Sequence, residues 1–136
     1  MLAAEPKTKP TDASVADFIA AVENPVRRTD AEVVRAMLEA VTGEKPVMWG
    51  PSIIGYGSYR GSTGDWPIIG FSPRKANLVL YIMPGFEGSG ALMARLGRHR
   101  TGASCLYINR LSDIDLEVLR ALASASVEAM RARYGA

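Results

Sequence analysis

The chain is short of soft metal ligands: it holds one cysteine, Cys105, and one histidine, His99. A single cysteine forms no internal disulfide, which fits a reducing, cytoplasmic setting. A structural zinc site needs about four nitrogen or sulfur ligands, so a metal site of that kind is excluded within one chain. Nucleophilic catalysis is equally poorly supplied. Serines are present, but there is no GxSxG elbow, and His99 is the only histidine available as a base. Long apolar runs are missing too. None approaches the ~18 residues that a membrane helix needs, so no membrane segment is expected. The first ten residues, MLAAEPKTKP, lack the apolar stretch of a signal peptide and read as a short disordered arm. An excess of one charge is also lacking. Sixteen Lys and Arg stand against fourteen Asp and Glu, a net +2, which gives little pull toward nucleic acid and confines any basic site to a local patch. Dinucleotide fingerprints are absent as well. Gly55-Tyr56-Gly57 and Gly85-Phe86-Glu87-Gly88 have neither a third glycine nor a strand–turn–helix setting, so no cofactor is expected.

What is present suits one domain, residues 11–136. A chain of 136 residues buries roughly 70% of the surface its unfolded form exposes, enough for a real core. A first helix is predicted over about Ser14 to Glu23, with Thr11, Asp12 and Ser14 offering N-cap oxygens and Val15, Phe18, Ile19 and Val22 at helical spacing. Asn24-Pro25 is expected to stop it. Thr29-Asp30-Ala31-Glu32 reads as a capping box that opens a second helix. Val33, Val34, Met37, Leu38 and Val41 form its apolar stripe, and Gly43 its left-handed end.

The stretch Trp49 to Asn109 then carries both tryptophans and four of the five tyrosines. Apolar runs broken by Gly and Pro predict strands over Ile53–Tyr59, Trp66–Ser72, Asn77–Met83 and Ser104–Asn109. Pro67 places the second of these at a sheet edge or marks its beginning. A weak helix over Gly88–Leu96 turns Leu92, Met93 and Leu96 inward, and Arg98 to Gly102 reads as a basic loop. Asp113 is expected to cap a last helix over Ile114–Arg133, with Leu116, Leu119, Leu122, Ala123, Val127 and Met130 on its core face. The fold class is therefore α+β: helices on one side of a mainly antiparallel sheet of four or five strands, in the order α-α-β-β-β-α-β-α.

Three segments in order, MWGPSIIGYGSY, WPIIGFSPRKANLVLYIMPGF and LGRHRTGASCLYINRLSDID, resemble the YdhG-like domain of unknown function across nearly the whole chain. The resemblance implies a small bacterial cytoplasmic α+β domain with no assigned reaction. One branch of that family is described as a frataxin-like intracellular iron chaperone. Ferrous iron favours clustered carboxylates, but the acidic residues here are scattered. The group Asp113, Asp115 and Glu117 is better explained by a helix cap and the positive end of a helix. The family often has an aromatic residue after GYGSY, where this chain has Arg60-Gly61.

Two candidate sites remain. Arg98, His99 and Arg100, with Arg74 and Lys75 in another turn, can bind an anion through guanidinium groups and loop N–H groups. Trp49 and Trp66, at strand entrances, can line a pocket. If the strand after Lys75 and the strand after the basic loop were parallel neighbours, both basic segments would share one edge of the sheet. Antiparallel strands would place them at opposite ends, and a charge separation beyond about 15 Å leaves no joint site at physiological salt. The expected function is a non-catalytic binding module for a small anionic ligand or a protein partner. The competing expectation is the iron chaperone.

Overall fold

The computed structural model describes residues 9–135, and the sequence-based expectation for residues 1–8 lies outside them. Lys9 and Pro10 are not a free arm: Pro10 bridges to Trp49, and the Gly50 N–H donates to the Lys9 carbonyl. The fold is α+β, with four helices and two antiparallel sheets among the described residues.

Helix α1 (Val15–Ala20) is capped by Ser14, whose hydroxyl accepts from the Asp17 N–H. It is shorter than predicted, ending at Ala20, and Asn24-Pro25 does not stop a helix but starts one. In α2 (Pro25–Thr42) Asn24 is the N-cap and Pro25 occupies the first turn, where its missing N–H costs nothing. The Thr29–Glu32 box is thus interior to α2, and Glu32 instead pairs with Arg35 at 2.8 Å. The buried stripe is Arg27, Ala31, Val34, Met37 and Leu38, while Val33 is exposed. Gly43 ends α2 at φ 71°, the left-handed position that favours glycine.

The long strands of the sequence reading are divided. Pro46 opens a strand that the sequence did not signal, β1 (Pro46–Trp49). Ile53–Tyr59 becomes β2 (Ile53–Tyr56) and β3 (Tyr59–Gly61), with the chain turning at Gly57, φ 63°. Trp66–Ser72 becomes β4 (Gly64–Trp66) and β5 (Ile69–Pro73). Pro67 falls in the break, so β5 is free to lie inside the sheet rather than at its edge. Next come β6 (Leu78–Tyr81), α3 (Gly90–Leu96), β7 (Arg100–Thr101), β8 (Cys105–Ile108) and α4 (Leu116–Tyr134). A 3-10 turn over Leu111–Asp113 precedes α4, whose N-cap is Asp115 rather than Asp113. Leu116, expected in the core, is 40% exposed in the first turn.

The main sheet has six strands in the order β1-β2-β5-β6-β8-β7, and β3 and β4 form a separate hairpin. Every pairing is antiparallel. Ile54, Tyr56, Ile69, Phe71, Leu78, Leu80, Leu106 and Ile108 fill the core with the inner stripes of α2 and α4. Gly55, Gly70, Tyr81 and Cys105 follow one another in register on the other face, as the period of two requires. Trp49 lies across that row: a Cβ on Gly55 would sit 2.5 Å from its Cδ1 atom.

Candidate functional site

The basic loop is fixed by its backbone. Gly97 bridges to Ile114, the Arg98 N–H donates to the Asp113 carbonyl at 3.1 Å, and the Asp115 N–H donates to the Leu96 carbonyl at 2.8 Å. Gly97 has φ 115°, and a Cβ there would lie 2.5 Å from the Asp113 oxygen. Glycine is therefore required at the start of the loop for both reasons.

β6 and β8 are antiparallel neighbours, so the parallel arrangement that would unite the two basic segments does not occur. Antiparallel pairing was expected to carry them to opposite ends of the sheet. The hairpin between β7 and β8 removes that consequence. β8 begins at the far end, beside Tyr81, but β7 runs back along it and pairs Arg100 with Tyr107. Arg98 and His99 therefore return toward Ile108 and Asn109, the end where β6 begins after Lys75 and Ala76. β7 lies two strand spacings from β6, about 10 Å.

At this end Ala76, Asn77, Arg98, His99, Arg100, Tyr107, Ile108 and Asn109 line a cleft of about 310 Å3. Among the described residues no carboxylate lines it. His99 Nδ1 lies 2.7 Å from the Gly97 carbonyl. An N–H there holds the ring and leaves Nε2 as the second ring nitrogen. The Arg100 guanidinium lies 5.7 Å from the Tyr107 ring centroid, within cation–π range. The Tyr107 phenol is held above its ordinary pKa, first by its hydrogen bond with the Cys105 side chain.

Arg74 and Lys75 do not line this cleft. Arg74 donates to the Tyr81 hydroxyl at 2.6 Å. Burial raises the Tyr81 pKa, and the Arg74 charge opposes that rise. Beneath the turn lies Arg27, which is 6% exposed. Its guanidinium donates to the carbonyls of Arg74, Lys75 and Asn109, the last at 2.9 Å. Burial pulls its pKa down, nearby Asp30 raises it, and Arg110 lowers it further. An arginine stays protonated under such shifts. Among the described residues its Nε–H finds no acceptor. Asp30 in turn accepts from the Leu111 N–H at 3.0 Å. One buried cation thus ties the start of α2 to the ends of β5 and β8.

The tryptophans do not join the basic residues. Trp49 is buried on β1, five strand spacings from β7, roughly 24 Å. It lines a different cavity of about 490 Å3 with Pro10, Glu44, Lys45 and Asp65. Trp66 sits on the β3–β4 hairpin, and its indole N–H donates to the Thr63 hydroxyl at 2.9 Å. Arg60 pairs with Asp65 across that hairpin at 3.2 Å.

Arg27, Asn77, Tyr107 and Asn109 were not among the residues expected at a site. A signal existed for Arg27: residues 27, 31, 34 and 38 share one helical face, so an arginine stands on the apolar stripe once the helix is started at Pro25. Among the described residues no three His, Cys, Asp or Glu side chains are grouped to hold a metal ion, and no helix is long and apolar enough to cross a membrane. Comparison with protein-family models, with curated proteins and with solved structures finds no match for this chain.

Proposed function

We propose that this domain is a binding module for a small anion, seated in the cleft formed by Arg98, His99 and Arg100 against Asn77, Tyr107 and Asn109. The observation that carries it is the β7–β8 hairpin, which turns a basic loop back onto a sheet end and makes it one wall of a cleft with no carboxylate among the described residues. Guanidinium groups bind phosphate or carboxylate oxygens through charge-assisted hydrogen bonds, and the two asparagine side chains supply neutral donors. The cations at 74 and 75, nearby along the sheet end, add to the local field. The net charge of only +2 favours a small anion over a long polyanion. The role is binding rather than catalysis, and the resemblance of the three central motifs to the YdhG-like domain is part of this reading.

The test is a titration with inorganic phosphate followed by NMR of the backbone amides. Saturable shifts are expected at residues 97–100 and 107–109, with smaller ones at 73–77. Replacing Arg98 and Arg100 together by alanine weakens binding about tenfold or more, the loss of at least one charge-assisted hydrogen bond. Absence of saturable shifts overturns the proposal. Shifts at 97–104 with 73–76 silent remove the contribution of the neighbouring turn.

A further inference from the structure

A second cavity, of about 580 Å3, opens between α1 and the β5–β6 turn. It shares no lining residue with the cleft of the basic loop, so what it binds is independent of the role proposed there. Its volume lies within the ~300–1,000 Å3 typical of small-molecule sites. Two kinds of wall meet in it. Phe18, Val22 and Pro73 are apolar, and Arg27, Arg74 and Lys75 are cationic. Among the described residues Glu23 is the one carboxylate on the wall.

Lys75 is not neutralised in place, whereas Arg27 has Asp30 nearby. Lys75 is exposed and makes no hydrogen bond or ion pair of its side chain among the described residues. Arg27 is held by three carbonyl oxygens, which orient its guanidinium on the cavity wall. The start of α2, with Asn24 on the cavity wall, adds the partial positive charge of a helix N-terminus. An inorganic anion would use the charge but leave the apolar wall wet, and a neutral hydrocarbon would do the reverse. Only a ligand with both parts uses the whole cavity.

We infer that the cavity between α1 and the β5–β6 turn binds a small amphiphilic anion, a carboxylate carried on an apolar body, with the body against Phe18, Val22 and Pro73 and the carboxylate toward Lys75 and Arg27. The orientation follows from the walls: the apolar side chains come mainly from α1 and the segment after it, and the cations from the turn and the first turn of α2.

The test uses the full chain and sodium octanoate, with 1-octanol and inorganic phosphate as controls, followed by NMR. Octanoate is expected to produce saturable shifts at Phe18, Val22 and Lys75, at least tenfold tighter than octanol. Lys75→Glu, a change at an exposed turn, weakens octanoate at least fivefold, and Val22→Trp, which fills the cavity, abolishes the shifts. The inference is overturned if octanol binds as tightly as octanoate, if Lys75→Glu has no effect, or if octanoate shifts only residues 97–109. Phosphate separates the two sites. Octanoate binding at Phe18 without phosphate binding at the basic loop removes the anion cleft alone, and the converse removes this inference alone.

Discussion

The Arg27 guanidinium donates to the carbonyl of Asn109, 82 residues further along the chain, at 2.9 Å. The same side chain also reaches the carbonyls of Arg74 and Lys75. Three segments that are remote in sequence are thus held by one buried cation, between the two cavities at this end of the sheet. Removing the cation leaves carbonyl groups without a donor and Asp30 without its neighbouring charge. Arg27→Met is expected to cost about 3 kcal/mol or more in urea unfolding. Arg27→Lys recovers only part of it, because an ammonium does not span the three acceptors in the same plane. A loss below about 1 kcal/mol would show that water satisfies these carbonyls equally well.

Asp115, not Asp113, carries the cap of α4. Its Oδ1 accepts from the N–H groups of Glu117 and Val118 at 2.9 and 3.3 Å. Asp115→Ala is expected to lower stability by about 1 kcal/mol. Asp113→Ala changes it by less than about 0.5 kcal/mol, since the contacts of Asp113 to Gly97 and Arg98 are made by its backbone. Thermal unfolding of the two variants side by side checks the assignment, and an equal loss in both would contradict it.

Gly55 makes room for Trp49. A Cβ at position 55 would lie 2.5 Å from Trp49 Cδ1 and 2.8 Å from Pro67 Cβ. Gly55→Ala is therefore expected to destabilise the domain by about 1–3 kcal/mol through overpacking. The same variant should shift the tryptophan emission to longer wavelength, because Trp49 is 3% exposed in the native fold and a methyl group at position 55 displaces its ring toward the cavity it lines.

Stability should fall in strong alkali. Tyr56 is fully buried, and burial pushes its pKa above the ordinary value of 10.0. Its hydroxyl donates to the Arg35 carbonyl at 2.9 Å, a bond made only by the neutral phenol. Above pH ~10 the unfolded chain releases this proton while the folded chain keeps it, so unfolding is favoured by up to about 1.4 kcal/mol per pH unit. The contribution is complete below pH ~10 and is lost as pH rises toward the folded-state value. Tyr81 and Tyr59 shift in the same direction, both mainly through burial. Urea midpoints at pH 7 and pH 11 should differ, and Tyr56→Phe should reduce that difference.

The α+β class, the four helices and the apolar cores of β2, β5, β6 and β8 were legible in the residue pattern. These depend on hydrophobic period and on caps such as Ser14 and Gly43, which act within one turn of chain. The start of α2 was misplaced because two local signals competed, and Asn24-Pro25 won over Thr29–Glu32. β1 and β7 were invisible for a different reason: four and two residues carry no period, and they become strands only by pairing with β2 and β8.

The candidate site divides in the same way. That cationic side chains stand at 74, 75, 98 and 100, with the histidine at 99, is a property of the sequence alone. That Arg98–Arg100 line a cleft with Asn77 and Asn109, that Trp49 and Trp66 lie elsewhere, and that Arg27 is the buried tie were decided by tertiary structure. The physical reason is the range of the interactions. Helix caps and side-chain period are settled between near neighbours, whereas strand order, the return of β7 along β8 and the Arg27 hydrogen bonds join residues that only the folded chain brings together.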